Sequence, residues 1–168
     1  MVVQNQQVKT GSFAARGTTA GGGGTYVRKL LSATQTDLYY QISFKVISQA
    51  ANTVNVMKFR TAADGPILSV SVNNLGQLSY HNDVAGTSVN TTVVVSQGAW
   101  QTLEVHLTIA DTASQIQTWY NGVQVSAMTR TDSFGINPIG RVQLGENTPA
   151  LTYDFAFDDV TVSTAFIP

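Results

Sequence analysis

Apolar and polar residues alternate with a period of two along most of the chain, the mark of half-buried β-strands. Leu38, Tyr40, Ile42, Phe44 and Val46 share one parity, and Tyr39, Gln41, Ser43 and Lys45 the other. Leu103, Val105, Leu107 and Ile109 alternate in the same way with Thr102, Glu104, His106 and Thr108. A strand of this kind buries one face and wets the other, as antiparallel sheets do. The same pattern predicts strands over Tyr26–Leu31, Thr53–Thr61, Ile67–Val72, Gln77–His81, Thr91–Val95, Ser114–Tyr120, Val123–Met128, Arg141–Gly145 and Leu151–Ser163. A short early strand is expected near Ser12–Arg16. No segment combines helical apolar spacing with good helix formers.

Turn residues punctuate these runs at Asp64-Gly65-Pro66, Asn73-Asn74-Leu75-Gly76, Asn121-Gly122 and Asn137-Pro138. Asn121-Gly122 predicts a two-residue hairpin, because a type I′ turn needs positive φ at both central residues. The Gly21–Gly24 run reads as a loop between two early strands; a phosphate cradle would need a helix after it, and Thr25-Tyr26-Val27 reads as strand. About a dozen short strands and essentially no helix imply an all-β fold, two packed sheets or a barrel, with a two-sheet antiparallel sandwich preferred. Phe44, Leu103, Val105, Leu107, Phe155 and Phe157 are expected between the sheets, and Trp100 is expected in the core as well.

The 168 residues suit one domain spanning 1–168. Charged residues are only 11% of the chain, against about 25% on average, so Thr, Ser, Asn and Gln supply the polar surface. Net charge is −1 and the nine Lys and Arg are scattered, which argues against nucleic acid as a partner. No apolar run approaches the roughly 20 residues of a membrane span, so no membrane insertion is expected. Cysteine is absent, which excludes disulfides and thiolate chemistry. Met1 runs straight into polar β-like sequence, which reads as a domain excised from a longer secreted protein.

Four segments carry a resemblance: Tyr26-Val27-Arg28-Lys29-Leu30 after the glycine run, Gly76-Gln77-Leu78-Ser79-Tyr80, Gly98-Ala99-Trp100 continued to Trp119-Tyr120-Asn121-Gly122, and Tyr153 through Asp158-Asp159-Val160. Their order resembles the concanavalin A-like, laminin G-like jelly-roll superfamily and covers most of the chain. The resemblance implies a jelly-roll sandwich with its first and last strands side by side. It leaves function open, since the superfamily holds lectins, carbohydrate-binding modules, adhesion domains, glycanases and lyases. In that superfamily an acid at the position of Asp158 or Asp159 often helps to hold a structural calcium ion. The alternative for this pair is hydrogen bonding to backbone N–H groups beside the first strand. Phe155 and Phe157 differ in parity from Val160 and Val162, which predicts a β-bulge across the two aspartates or a strand buried on both faces.

Glycoside hydrolysis usually needs two carboxylates flanking the bond, and the clustered acids of the superfamily's glycanases have no counterpart here. The protein is therefore expected not to be an enzyme. A lyase set could be assembled from Tyr39, Lys58, Arg60, Glu104 and His106, but a solvated polar face explains these residues too. His81 and His106, on distant strands, read as ordinary polar-face residues. Trp119 and Tyr120 are adjacent, so one should enter the core and the other face outward. The leading reading is a non-catalytic, lectin-like carbohydrate-binding module of an extracellular or cell-surface protein. Its partner would be a polysaccharide or glycan, on the concave sheet or at a loop edge. Tyr39, Lys58, Arg60, His106 and Trp119 are its expected ligand contacts, and Asp158 and Asp159 its candidate calcium ligands. The alternatives are a structural or adhesive assembly module without glycan affinity and a diverged polysaccharide glycanase or lyase.

Overall fold

The computed structural model describes residues 1–168 and contains fourteen strands, numbered here in chain order. One sheet has eight strands, in the order β1 (Val2–Gln4), β2 (Ala14–Ala20), β14 (Thr152–Ser163), β4 (Asp37–Gln49), β9 (Trp100–Thr108), β10 (Gln115–Tyr120) and β11 (Val123–Gln124). Its eighth strand, β12 (Arg130–Thr131), also pairs with β10. The other sheet has six, in the order β3 (Thr25–Gln35), β13 (Ile139–Glu146), β5 (Val54–Arg60), β6 (Pro66–Val72), β7 (Gln77–Asn82) and β8 (Thr87–Val94). Every pairing between named strands is antiparallel. Helix is confined to two single 3₁₀ turns, Asp111–Ala113 and Ser126–Met128. The all-β, two-sheet antiparallel sandwich expected from alternation is the observed fold.

The core lies between the sheets, because alternation gives each strand one apolar side. Phe44, Leu103, Val105, Leu107, Phe155 and Phe157 project from the eight-stranded sheet and are all buried. They meet Met57, Phe59, Leu68, Val70, Leu78 and Tyr80 of the six-stranded sheet, also buried. The rings of Tyr40 and Phe59 cross from sheet to sheet edge to face at 5.7 Å. Tyr120 turns inward against this core and Trp119 outward, as their adjacency requires.

Local chemistry explains the joints. Asn121 and Gly122 have φ of 50° and 76°, and Tyr120 pairs with Val123 across them. β14 runs between β2 and β4, which sets the last strand beside a strand of the first thirty residues. Its register slips between Asp158 and Thr161, and Asp159 sits at φ 46°. After this bulge Val162 lies opposite inward-facing Tyr40, so the parity switch keeps an apolar residue on the core side.

Three expectations need correction. Trp100 is half-buried on the outer face, opposite Lys45, because it shares the parity of Thr102 and Glu104. The strand expected over Val123–Met128 stops at Gln124. There Val125 donates to the Thr118 carbonyl and the chain turns inward to bury Val125 and Met128. β3 continues past Leu31 to Gln35, held by β13 along an edge where the sequence no longer alternates.

Candidate functional site

The outward side of the six-stranded sheet is a polar surface built by register. Where β5 presents Met57 and Phe59 to the core, it turns Lys58 and Arg60 outward; β6 and β7 do the same with Ser69, Ser71, Ser79 and His81. Pairing aligns one transverse row: Arg28, Gln143, Lys58, Ser69, His81 and Ser88. Beside it Tyr26 stands opposite Gly145, and Asn55, Ser71, Ser79 and Asn90 line up beyond the bulge in β5. All fourteen strands belong to the two sheets, so no further layer packs on this face. A cleft of about 290 Å³ opens there over Asn55, Ser71, Ser79, His81, Ser88 and Asn90.

Most of these side chains hold one another. Ser71 and Ser79 hydroxyls lie 2.9 Å apart, Ser69 donates to Asp83 at 2.6 Å, and His81 Nδ1 is 2.9 Å from Ser88 Oγ. Arg28 Nε donates to Gln143 Oε1, and the Gln143 amide donates to Gly145 O and Asn147 Oδ1. Glu146 accepts from Asn55 N, Asn55 Nδ2 and Thr148 N. At the rim Tyr26 is 41% exposed, and the Arg28 guanidinium carbon lies 4.5 Å from its ring centre.

The edge of this face is strongly cationic. Arg28, Arg60 and Arg141 all converge on the Asp64 carboxylate. Burial alone would raise the proton affinity of Asp64. The Arg60 hydrogen bond and the charges of the three arginines outweigh it and hold the carboxyl below its ordinary range. Lys58 is 8% exposed, yet its ammonium takes part in none of the chain's six ion pairs or its side-chain hydrogen bonds. Burial foremost lowers its proton affinity; Asp83 and Glu146 oppose that shift, and Arg60 and Arg28 add to it.

Tyr39, His106 and Trp119 lie elsewhere, on the outer face of the eight-stranded sheet. Tyr39 and His106 stack with ring centres 3.9 Å apart. His106 also lies between Asp37 and Gln117, 2.7 and 2.8 Å from their side-chain oxygens. The C-terminal tail folds over this face: Phe166 meets Tyr39 and Trp119 edge to face, and Ile167 N donates to Glu104 Oε1 at 3.2 Å. Glu104 is thereby 4% exposed. A second cleft, of about 490 Å³, lies between tail and sheet, lined by Lys9, Gln41, Glu104, Trp119 and Phe166 among others.

The five expected ligand contacts thus divide. Lys58 and Arg60 face one way and Tyr39, His106 and Trp119 the other, with the core between sheets about 10 Å apart. One ligand cannot touch both groups, and the lyase set that combined them does not assemble. Alternation shows which residues face outward but not which sheet carries them. Sequence reasoning missed Tyr26, Arg28, Asn55 and Gln143. The polar parity of Ser69 and Ser71 within Pro66–Val72 was the available signal for the cleft.

Asp158 and Asp159 meet the chain's start. Asp158 Oδ2 accepts from Lys9 N at 2.8 Å and Thr10 N at 3.1 Å, and Oδ1 accepts from Asp159 N. Asp159 accepts from the Thr10 hydroxyl and lies 3.3 Å from the Lys9 ammonium. The Thr10 hydrogen bond first, then contacts from Lys9 and Ser43, hold its carboxyl below the ordinary range against desolvation. Calcium is bound through six to eight oxygens. The two carboxylates accept from the N–H, hydroxyl and ammonium groups of Lys9 and Thr10, the contacts that the backbone alternative expects.

The two antiparallel sheets, with first and last strands side by side, can be set against known structures. A cellulose-induced protein, Cip1, superposes with a TM-score of 0.77 at 17% identity, over 97% of this chain and 84% of the other. The carbohydrate binding module CBM66 from Bacillus subtilis gives 0.58 at 14% identity, over 88% and 84%. The alginate lyase Aly36B, solved with an alginate trisaccharide, gives 0.62 at 10% identity, over 89% and 80%. The fold is the two-sheet antiparallel jelly-roll sandwich that these structures share. Neither a protein-family model nor a curated protein matches the chain, and at these identities the likeness concerns fold alone. No helix is long and apolar enough to cross a membrane.

Proposed function

We propose that the protein is a carbohydrate-binding domain that holds a glycan in the cleft of the six-stranded sheet and does not cleave it. The observation that carries this reading is the makeup of the cleft. Hydroxyls and amides from Asn55, Ser71, Ser79, Ser88 and Asn90, with His81, lie on one uncovered sheet face. Sugar hydroxyls both donate and accept, and such side chains do the same. Hydrogen bonds within the fold hold Asn55, Ser71, Ser79, His81 and Ser88 in place, so little of their side-chain freedom is lost on binding. On the same face, at the sheet edge two strands from the cleft, Tyr26 adds an exposed ring of the kind that stacks on the apolar face of a pyranose. The relatives in fold include a carbohydrate binding module and an alginate lyase, both of which handle glycans. A role outside the cell or at its surface fits such a ligand.

Two observations support binding without cleavage. Glu146 and Asp83, the acids nearest the cleft, are engaged in hydrogen bonds within the fold. Glu104 and His106 lie on the opposite face, where Glu104 is bonded to the tail and His106 to Asp37 and Gln117. A lyase reading draws on one observation, the lowered proton affinity of the unpartnered Lys58. A glycan array with isothermal titration against plant, algal and host polysaccharides tests binding, and Asn90→Ala and His81→Ala should weaken it. A blank across both methods overturns the proposal. Appearance of reducing ends or unsaturated uronate on incubation would establish catalysis instead.

A further inference from the structure

We propose that Lys58 makes this cleft selective for acidic sugars, its ammonium receiving the carboxylate or sulfate of a charged glycan residue. The inference rests on the carbohydrate-binding reading and adds the chemical class of the ligand.

The first ground is the difference between Lys58 and its neighbours. In the transverse row Arg28 and Gln143 bind each other, Ser69 binds Asp83, and His81 binds Ser88. Lys58 sits in the middle of that row, bonded to none of them. The stem of Lys58 is packed away while its ammonium still reaches solvent with no partner in the chain, so an incoming anion can bind it without breaking an internal bond. Glu146 and Asp83 favour the charged ammonium only through space, since their carboxylates bond to Asn55, Thr148 and Ser69 and not to Lys58.

The second ground is the charge around it. Arg28, Arg60, Arg141 and Lys58 gather on this face against the carboxylates of Asp64, Asp83 and Glu146, a local excess of one positive charge in a chain of net charge −1, and the three arginines are bound to Asp64 while Lys58 is bound to none of the three acids. Arg141 Nε is also buried without a hydrogen-bond partner. A field of one sign over a low-dielectric surface attracts and orients an anion and does nothing for a neutral sugar. Tyr26, Asn55, Ser71 and Asn90 lie beside Lys58 on the same face, so a sugar bound there can set an acidic group on Lys58 while its hydroxyls meet the neutral side chains.

The test titrates the intact protein with polygalacturonate and alginate for carboxylate and with carrageenan for sulfate. Methyl-esterified polygalacturonate and agarose serve as neutral counterparts. Binding of an acidic polymer, with its neutral counterpart weaker by on the order of 30-fold or more, is expected. Which acidic polymer binds separates carboxylate from sulfate. Lys58→Met should lose affinity by a similar factor and with it the preference for the charged form, while Lys58→Arg keeps that preference. The melting temperature of Lys58→Met should not fall, which a purely structural lysine would not allow. Equal affinity for charged and neutral polymers, or undiminished binding by Lys58→Met, overturns the inference. Binding of neutral glycans alone overturns it and leaves the carbohydrate-binding reading standing; binding of no glycan removes both.

Discussion

On the outer face of the eight-stranded sheet the side chains find their partners within the chain. Tyr39 stacks on His106, Phe166 wedges against Tyr39 and Trp119, and Glu104 receives the Ile167 N–H under the tail. On the outer face of the six-stranded sheet the side chains are just as closely packed, yet no tail crosses them and Lys58 is left without a bond. Both faces come from the same alternation of polar and apolar residues. The first is covered by the chain's own tail, while the second stays uncovered and leaves the Lys58 ammonium without a partner in the chain.

That contrast can be sharpened by experiment. Leu103→Ala, in the core shared by both faces, sets the scale: a loss of about 2–5 kcal/mol in chemical unfolding is expected. Asp64→Asn should cost about 2 kcal/mol, since it leaves Arg28, Arg60 and Arg141 facing one another, and partial exposure moderates the effect. Asparagine tolerates the φ of 71° at this position, so the loss reads the charge and one lost acceptor oxygen rather than backbone strain. The sign with pH follows from the lowered proton affinity of Asp64. Its contribution is full above the unfolded value of about 4 and disappears as pH falls through the lower folded value. Asp64→Asn should therefore flatten that part of the acid-unfolding curve.

Asp158→Ala removes the acceptor of three backbone N–H groups, those of Lys9, Thr10 and Asp159, and should cost about 1–2 kcal/mol. A chelator should leave the wild-type melting temperature unchanged if the clasp is all that the pair provides. A drop on chelation, abolished by Asp158→Ala, would assign the pair to calcium. Phe166→Ala should cost about 1 kcal/mol and shift Trp119 fluorescence as the ring loses its edge-to-face neighbour. No change in that emission would show that the tail does not cover the face in solution. The smallest effect is expected for Lys58→Met, a gain of roughly 0.5–1 kcal/mol from removing a partly desolvated ammonium that has no partner in the chain. A clear loss would mean that the ammonium has a partner within the fold, and the contrast between the faces would fail.

The strand pattern, the Asn121-Gly122 hairpin, the buried set on β4, β9 and β14 and the bulge at Asp158-Asp159 were legible because each depends on neighbours within a few residues. The edges were less legible. β1 and β12 are three and two residues long, and the second half of β3 is polar on both sides. Edge strands like these are held by a partner that lies far away in sequence. Trp100 was misplaced because bulk suggested the core while parity placed it outside.

By itself the sequence determined which side chains of each strand turn outward, because alternation is a local property of extended backbone. Only the tertiary structure decided which strands share a sheet. β5 pairs with β13 and β6, whereas β4 and β9 pair with each other in the opposite layer. That long-range pairing puts Lys58 and Arg60 on one surface and Tyr39, His106 and Trp119 on the other, and it brings the tail from residue 166 onward over residues 39, 104 and 119. Periodicity fixes a residue's direction relative to its own strand, while the partner strand is selected by complementary burial across the whole core.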